Sequence, residues 1–177
     1  MVAAVDLKAL IREIPDFPKP GISFKDITTV LKDGAAFRET VKQMAAPFRD
    51  RGVQAVVGVE SRGFILGAPI AYELGCGFIL VRKSGKLPAE TISTTYQLEY
   101  GTDTLEIHKD AIQPGQKVLL VDDLLATGGT ISAAAELVRR LSGEIVGFSF
   151  FIELAFLQGR KKLDGYEVHC LVTYDSE

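Results

Sequence analysis

Lys117-Val118-Leu119-Leu120-Val121-Asp122-Asp123-Leu124-Leu125-Ala126-Thr127-Gly128-Gly129-Thr130 decides how the rest of the chain is read. Four apolar residues, Val118 to Val121, suit a buried parallel strand and run into two adjacent carboxylates. A turn of small residues follows. Ile131 to Leu141 then has the apolar spacing of an amphipathic helix. The order is strand, acidic tip, glycine turn, helix. Such a turn presents backbone N–H groups at a helix N-terminus, where orphan donors and the helix dipole favour a phosphate. Gly128 and Gly129 let the backbone come close to an anion. Asp122 and Asp123 repel that anion but suit hydroxyls, such as those of a ribose, or a metal ion. Phosphate beside diol points to a sugar phosphate.

The same rhythm appears upstream. Val53 to Val59 reads as a buried strand, Glu60-Ser61-Arg62-Gly63-Phe64 as its exit loop, and Phe64 to Leu74 as a helix closed by Gly75. Gly77 to Val81 is the next strand. Downstream, Ile145 to Ile152 and Glu167 to Val172 are strands. Repeated β-loop-α-β units predict an α/β fold with a mostly parallel central sheet, right-handed crossovers and flanking helices. Ligands of such sheets sit beyond the carboxyl ends of the strands. Glu60 to Gly63, Arg82 to Lys86 and Asp122 to Thr130 all fall on that edge. Arg82-Lys83-Ser84-Gly85-Lys86 places three cations in five residues around a glycine, which there becomes an anion clamp.

Asp6 to Ile14 has helical apolar spacing at Leu7, Leu10, Ile11 and Ile14, with Asp6 as N-cap. Three prolines and a glycine from Pro15 to Gly21 exclude a regular element, yet Phe17, Ile22 and Phe24 must pack on the core or on a flat ligand. A further helix starts at Lys32 or Asp33. Thr91 to Leu98 and Thr104 to His108 alternate like two antiparallel strands around Gly101, which predicts a flap over residues 82–108. Lys109 to Ile112 reads as a short turn of helix. No repeat or linker divides the chain, so residues 1–177 are expected to form one domain.

The 177 residues carry a net charge of −3 and 47% hydrophobic residues, ordinary for a soluble globular protein. The pI of about 5.5 argues against a nucleic-acid partner. No apolar run reaches the ~18 residues of a membrane span. Met1 to Leu10 lacks the apolar core of a secretory signal. Cys76 and Cys170 are too few for a disulfide scaffold and suit a reducing compartment, so a cytoplasmic location is expected. His108 and His169 have no second ligand at metal-binding spacing and read as structural. No Gly-Lys-Ser/Thr follows the glycine turn, which excludes a P-loop nucleotide hydrolase.

Val121 to Thr130 closely resembles the signature of the type I phosphoribosyltransferases, which bind 5-phosphoribosyl-1-diphosphate. Phe17-Pro18-Lys19-Pro20-Gly21-Ile22, Asp26-Ile27, Glu60 to Phe64, Arg82 to Pro88 and Leu98-Glu99-Tyr100-Gly101 resemble the branch of that family that uses adenine. The resemblance implies that fold, with an N-terminal base-binding hood over residues 1–32 and a flexible β flap. It implies transfer of phosphoribosyl to adenine, giving AMP and pyrophosphate, with Mg2+ held mainly through the diphosphate sugar. Asp122 and Asp123 would face the ribose hydroxyls, and Ala126, Thr127, Gly128, Gly129 and Thr130 the 5-phosphate. Ser61, Arg62, Arg82, Lys83 and Lys86 would hold pyrophosphate, with Arg62 the first choice for the charge on the leaving group. Phe24 would pack on adenine, the backbones around Ser23 and Lys25 would meet its edge, and Leu154 would cover its other face. Glu99 matches the family's proton-transfer residue. An arginine matching Arg82 often reaches a neighbouring subunit in the family, which implies a homodimer.

Overall fold

A seven-stranded sheet runs through the molecule in the order β5-β6-β4-β3-β7-β8-β9 in the computed structural model, which describes residues 5–97 and 101–176. Its strands are β3 (Ala55–Val59), β4 (Gly77–Lys83), β5 (Thr91–Gln97), β6 (Thr102–His108), β7 (Lys117–Leu125), β8 (Glu144–Leu154) and β9 (Val168–Tyr174). β4, β3, β7, β8 and β9 are mutually parallel. That matches the parallel sheet expected from the repeated strand–helix units. The central strands are apolar on both faces because both are covered: Val56, Leu119 and Phe151 belong to one buried cluster, Val57, Leu120 and Phe150 to another.

Helices α4 (Arg62–Leu74) and α5 (Gly129–Arg140) are the two crossovers that start on the ligand edge. Gly75 closes α4 with φ of 67°. α3 (Gly34–Ala45) begins where expected, with Asp33 accepting hydrogen bonds from the Ala35 and Ala36 amides. β5 and β6 pair antiparallel over their full length, and β6 docks antiparallel on β4 through Arg82–Glu106 and Lys83–Leu105. Leu105 and Ile107 are buried there, which ties this part of residues 82–108 to the main core.

The N-terminal segment departs from the helix expected over Asp6 to Ile14. α1 covers only Leu7–Leu10, with Asp6 accepting from the Ala9 amide, and β1 (Arg12–Ile14) follows. β1 pairs antiparallel with β2 (Phe24–Asp26). Cross-strand charge pairs decide the matter: Arg12 binds Asp26 at 2.6 Å and Glu13 binds Lys25 at 2.9 Å. Ile11 and Leu7 still reach the core, so the helical apolar pattern was met by a turn and a strand. A short helix α2 (Thr28–Leu31) follows β2 and was not anticipated. Lys109 to Ile112 forms a turn, with the Ala111 amide on the His108 carbonyl, in place of helix.

The acidic pair is also placed differently. Asp122 and Asp123 are not a tip beyond the strand; β7 continues to Leu125. β8 is long enough to pair Asp122 with Phe150, Leu124 with Ile152 and Leu125 with Glu153. The acidic pair is thus held within a strand that β8 pairs on one side, while pairing with β3 on the other ends at Val121.

Candidate active site

The loops at the carboxyl ends of β3, β4 and β7 enclose a cavity of about 600 Å3. Ser61, Arg62, Lys83, Lys86, Asp122, Asp123 and the turn Ala126 to Thr130 all line it. Four sequence segments separated by up to seventy positions therefore converge, as a parallel sheet with ligand-edge loops requires.

The glycine turn leads directly into α5. Gly128 adopts φ of 77°, open to glycine without strain, and its carbonyl accepts from the Ser132 amide. The first N–H groups of this 12-residue helix consequently face the cavity end, where an anion is favoured. The Thr130 hydroxyl donates to the Tyr96 hydroxyl at 3.3 Å, which brings β5 over the turn. Lys162 brings its ammonium to 3.9 Å from where a Cβ on Gly129 would stand.

The paired acids are unequal. Asp123 accepts a short hydrogen bond from Arg62 Nε, and its own amide donates to Asp122 Oδ1 at 2.9 Å. Burial, followed by the neighbouring Asp123 charge, pushes the Asp122 carboxyl well above its usual range; Arg62 only partly offsets this. Gly63 makes the arrangement possible. A Cβ there would stand 3.0 Å from Asp122 Oδ1 and 3.1 Å from the Val121 carbonyl oxygen, so the start of α4 closes on β7.

The clamp is internally neutralised. Glu60 accepts from the Lys83 amide at 2.5 Å, Lys86 Nζ at 3.1 Å and Arg82 Nη2 at 3.2 Å. Burial favours the neutral Glu60 acid, but these three donors outweigh it and hold its carboxyl below the usual value. Lys83 Nζ pairs with Asp103 at 3.0 Å, which raises its pKa. Glu106 of β6 accepts from Ser84 Oγ and the Gly85 amide and fixes the clamp's turn. Arg82 is the one clamp cation outside the cavity lining. It lies on Glu60 and the Lys86 carbonyl, with its Nε buried and unpartnered among the described residues.

Ser23, Phe24, Lys25 and Leu154 also lie outside the lining of this cavity. Phe24 packs edge-on against Phe17 at 5.3 Å, and the Arg62 guanidinium carbon stands 5.7 Å from its ring centre. Lys25 Nζ binds Ser23 Oγ and Glu13 and lies 4.4 Å over the Tyr174 ring. Leu154, at the end of β8, pairs in register with Tyr174 and packs on the same cluster as Ile27. Of these residues Phe24 lies against Arg62, which also binds Asp123. Glu99 and Tyr100 lie outside the described residues.

Glu60, Tyr96 and Asp103 also line the cavity and were given no role by the sequence reading, which placed Glu60 only on the ligand edge. Only Glu60, inside the Glu-Ser-Arg-Gly-Phe run, carried a signal. The others act through cross-strand or through-space contacts with no local pattern.

The phosphoribosyl transferase domain profile matches residues 24–175. The chain belongs to the phosphoribosyltransferase family. A relative from Desulfitobacterium hafniense (strain Y51), an adenine phosphoribosyltransferase, is 60% identical over 97% of this chain and 99% of its own. The crystal structure of adenine phosphoribosyltransferase from Thermoanaerobacter pseudethanolicus is 58% identical, with a TM-score of 0.92 over 95% of this chain and 98% of that one. The Saccharomyces cerevisiae adenine phosphoribosyltransferase, crystallised with an imino-altritol bisphosphate and adenine, is 41% identical with a TM-score of 0.89 over 93% and 96% of the two chains. For a phosphoribosyltransferase, the cavity falls on the edge of the sheet where the fold carries its ligands.

Proposed function

We propose that the protein transfers phosphoribosyl from 5-phosphoribosyl-1-diphosphate to adenine, releasing pyrophosphate and forming AMP, as a step of purine salvage. The observation that carries this reading is the pair of contacts that Arg62 makes. Its Nε donates to Asp123 in the cavity that the anion-favouring turn also lines, and its guanidinium carbon stands 5.7 Å from the Phe24 ring centre. The naming of relatives at about 60% identity as adenine phosphoribosyltransferases, and the adenine bound to the yeast relative, support adenine as acceptor.

In this reading the 5-phosphate sits in the Ala126–Thr130 turn, and Asp122 and Asp123 meet the ribose hydroxyls. The bond from C1 to the diphosphate oxygen breaks as the bond from C1 to adenine N9 forms, and the N9 proton passes to a carboxylate. Glu99 is our assignment for that base. Negative charge grows on the departing pyrophosphate, and Arg62, Lys83 and Lys86, with the Ser61 backbone, neutralise it. Lys83 and Lys86 exchange their contacts with Asp103 and Glu60 for the diphosphate oxygens. Phe24 and Leu154 flank adenine, with backbone groups around Ser23 and Lys25 at its edge.

Among the described residues no group of three His, Cys, Asp or Glu gathers as a metal site. Asp122 and Asp123, which line the cavity, are the residues that would hold a Mg2+ ion accompanying the diphosphate sugar. When bound, that ion adds positive charge at the diphosphate. A homodimer belongs to the same reading: Tyr72 is 88% exposed, and Ile65 lies two helical turns earlier on the same face of α4. Among the described residues no helix is long and apolar enough to cross a membrane, and the thiols Cys76 and Cys170 are free, which suits a cytoplasmic enzyme. Incubation with adenine, the diphosphate sugar and Mg2+ tests the proposal. AMP and pyrophosphate should appear in equal amounts, and tight binding of the sugar without pyrophosphate release would overturn it.

A further inference from the structure

Packed against the glycine turn, and outside the lining of the cavity, lies a second layer that neither the turn's sequence nor the family comparison assigns a role. Gly159, at the start of the 3-10 segment Gly159–Leu163, packs its backbone directly against the turn. A Cβ on Gly159 would overlap the Ala126 carbonyl oxygen and stand 2.9 Å from the Gly128 nitrogen. A Cβ on Gly128 would stand 2.6 Å from the Gly159 carbonyl oxygen. The two glycines therefore meet backbone to backbone, and the position of one sets the position of the other.

Gly159 is fixed by its neighbour. Arg160 forms a two-pronged pair with Glu153, Nε to Oε1 at 2.9 Å and Nη2 to Oε2 at 2.5 Å. Its Nη1 donates to the Val168 carbonyl at 2.8 Å, and Nη2 lies 3.4 Å from Cys170 Sγ. Glu153 is buried, and Arg160 holds its carboxyl below the usual range. Glu153 also pairs in register with Leu125, the residue immediately before the turn. One guanidinium thus spans β8 and β9 and draws the segment carrying Gly159 onto the sheet beside the strand that feeds the turn. Leu163, buried in the cluster that holds Ile131, anchors the other end of the segment.

We infer that the Arg160–Glu153 pair is a positioning device for phosphate binding: it holds Gly159 as the floor that sets the geometry of the Ala126–Thr130 turn. This rests on the placement of the 5-phosphate in that turn. A planar guanidinium with two parallel hydrogen bonds fixes distance and orientation, which a single contact does not. Small displacements of a binding loop cost much of its affinity.

Binding of ribose 5-phosphate and of pyrophosphate, each measured by calorimetry, separates the two halves of the cavity. Wild type should bind both, and a wild type that ignores ribose 5-phosphate overturns the phosphate placement and this inference with it. Arg160→Gln should weaken ribose 5-phosphate roughly tenfold or more while pyrophosphate stays within about twofold. In turnover, KM for the diphosphate sugar should rise, with KM for adenine near wild type. Arg160→Lys, which keeps the charge but one prong at most, should recover part of the loss. Glu153→Gln provides the same reading should Arg160→Gln not fold, and Gly159→Ala should reproduce the selective loss with the ion pair intact. Equal weakening of both ligands, or no weakening of either, in a folded variant contradicts the positioning role.

Discussion

Arg62 Nε donates to the Asp123 carboxylate while the same guanidinium lies 5.7 Å from the centre of the Phe24 ring. One side chain at the start of α4 therefore touches both the acidic pair and the ring that the proposed function places at the base. Arg62→Ala should lower kcat/KM by roughly 10²- to 10³-fold, the cost of removing one donor to charge that develops in the transition state. The loss of stability should be small by comparison. Arg62 is about half exposed, and without its charge Asp122 is driven further toward the protonated form, which relieves the repulsion left behind. Steady-state kinetics alongside thermal unfolding checks this; turnover at the wild-type rate would remove Arg62 from the chemistry.

Asp122→Asn should stabilise the ligand-free protein at neutral pH and abolish most activity. Asp122 is pushed well above its ordinary value by burial and then by Asp123, so the folded state holds the proton more tightly than the unfolded chain. Its contribution to stability therefore falls as pH rises from the unfolded pKa toward the raised folded one. The variant escapes that penalty, and its Tm advantage should widen as pH increases from about 4. An advantage independent of pH would show that the Asp122 carboxyl is not raised in the folded protein.

Glu99→Gln should depress kcat by roughly 10²-fold or more, the usual contribution of a positioned base, with little change in affinity for the diphosphate sugar. Single-turnover rates and equilibrium binding of the sugar distinguish the two effects. An unchanged kcat would leave the N9 proton to another group.

Asp26→Asn should loosen the β1–β2 hairpin that carries Phe24. The Thr28 amide and hydroxyl, then Arg12, hold the Asp26 carboxyl at about 2 against an ordinary 3.8. A depressed carboxyl stabilises the fold above its unfolded pKa and loses that effect as pH falls through the folded value. Wild type should exceed the variant by about 1 kcal/mol at neutral pH, modest because Arg12 is largely exposed, and the gap should close between pH 3.8 and about 2. Denaturant titrations across that range measure it.

The parallel sheet and its ligand edge were legible because the signals are local. Val118 to Val121 is a buried strand by composition alone, and Gly128-Gly129 ahead of an amphipathic helix marks a turn whatever surrounds it. The N-terminal error has the opposite origin. Leu7, Leu10, Ile11 and Ile14 satisfy a helical period, but Arg12 and Glu13 find their partners on Asp26 and Lys25, more than ten residues away. Pairing across β1 and β2 then overrides the local pattern. The same non-locality hid Asp103 opposite Lys83, Tyr96 above Thr130 and Gly159 beneath Gly128. The cation run at Arg82 to Lys86 was visible, whereas its neutralisation by the single carboxylate of Glu60 required the loop at the end of β3 to meet the end of β4.

The most direct test of adenine as the acceptor is the ratio of kcat/KM values for adenine, hypoxanthine and guanine, measured at saturating 5-phosphoribosyl-1-diphosphate and Mg2+ through pyrophosphate release. Adenine should exceed both oxopurines by at least about 10²-fold, since backbone groups fixed for an amino-substituted edge are left mismatched by an oxo group. Equal or greater turnover with either oxopurine would contradict it.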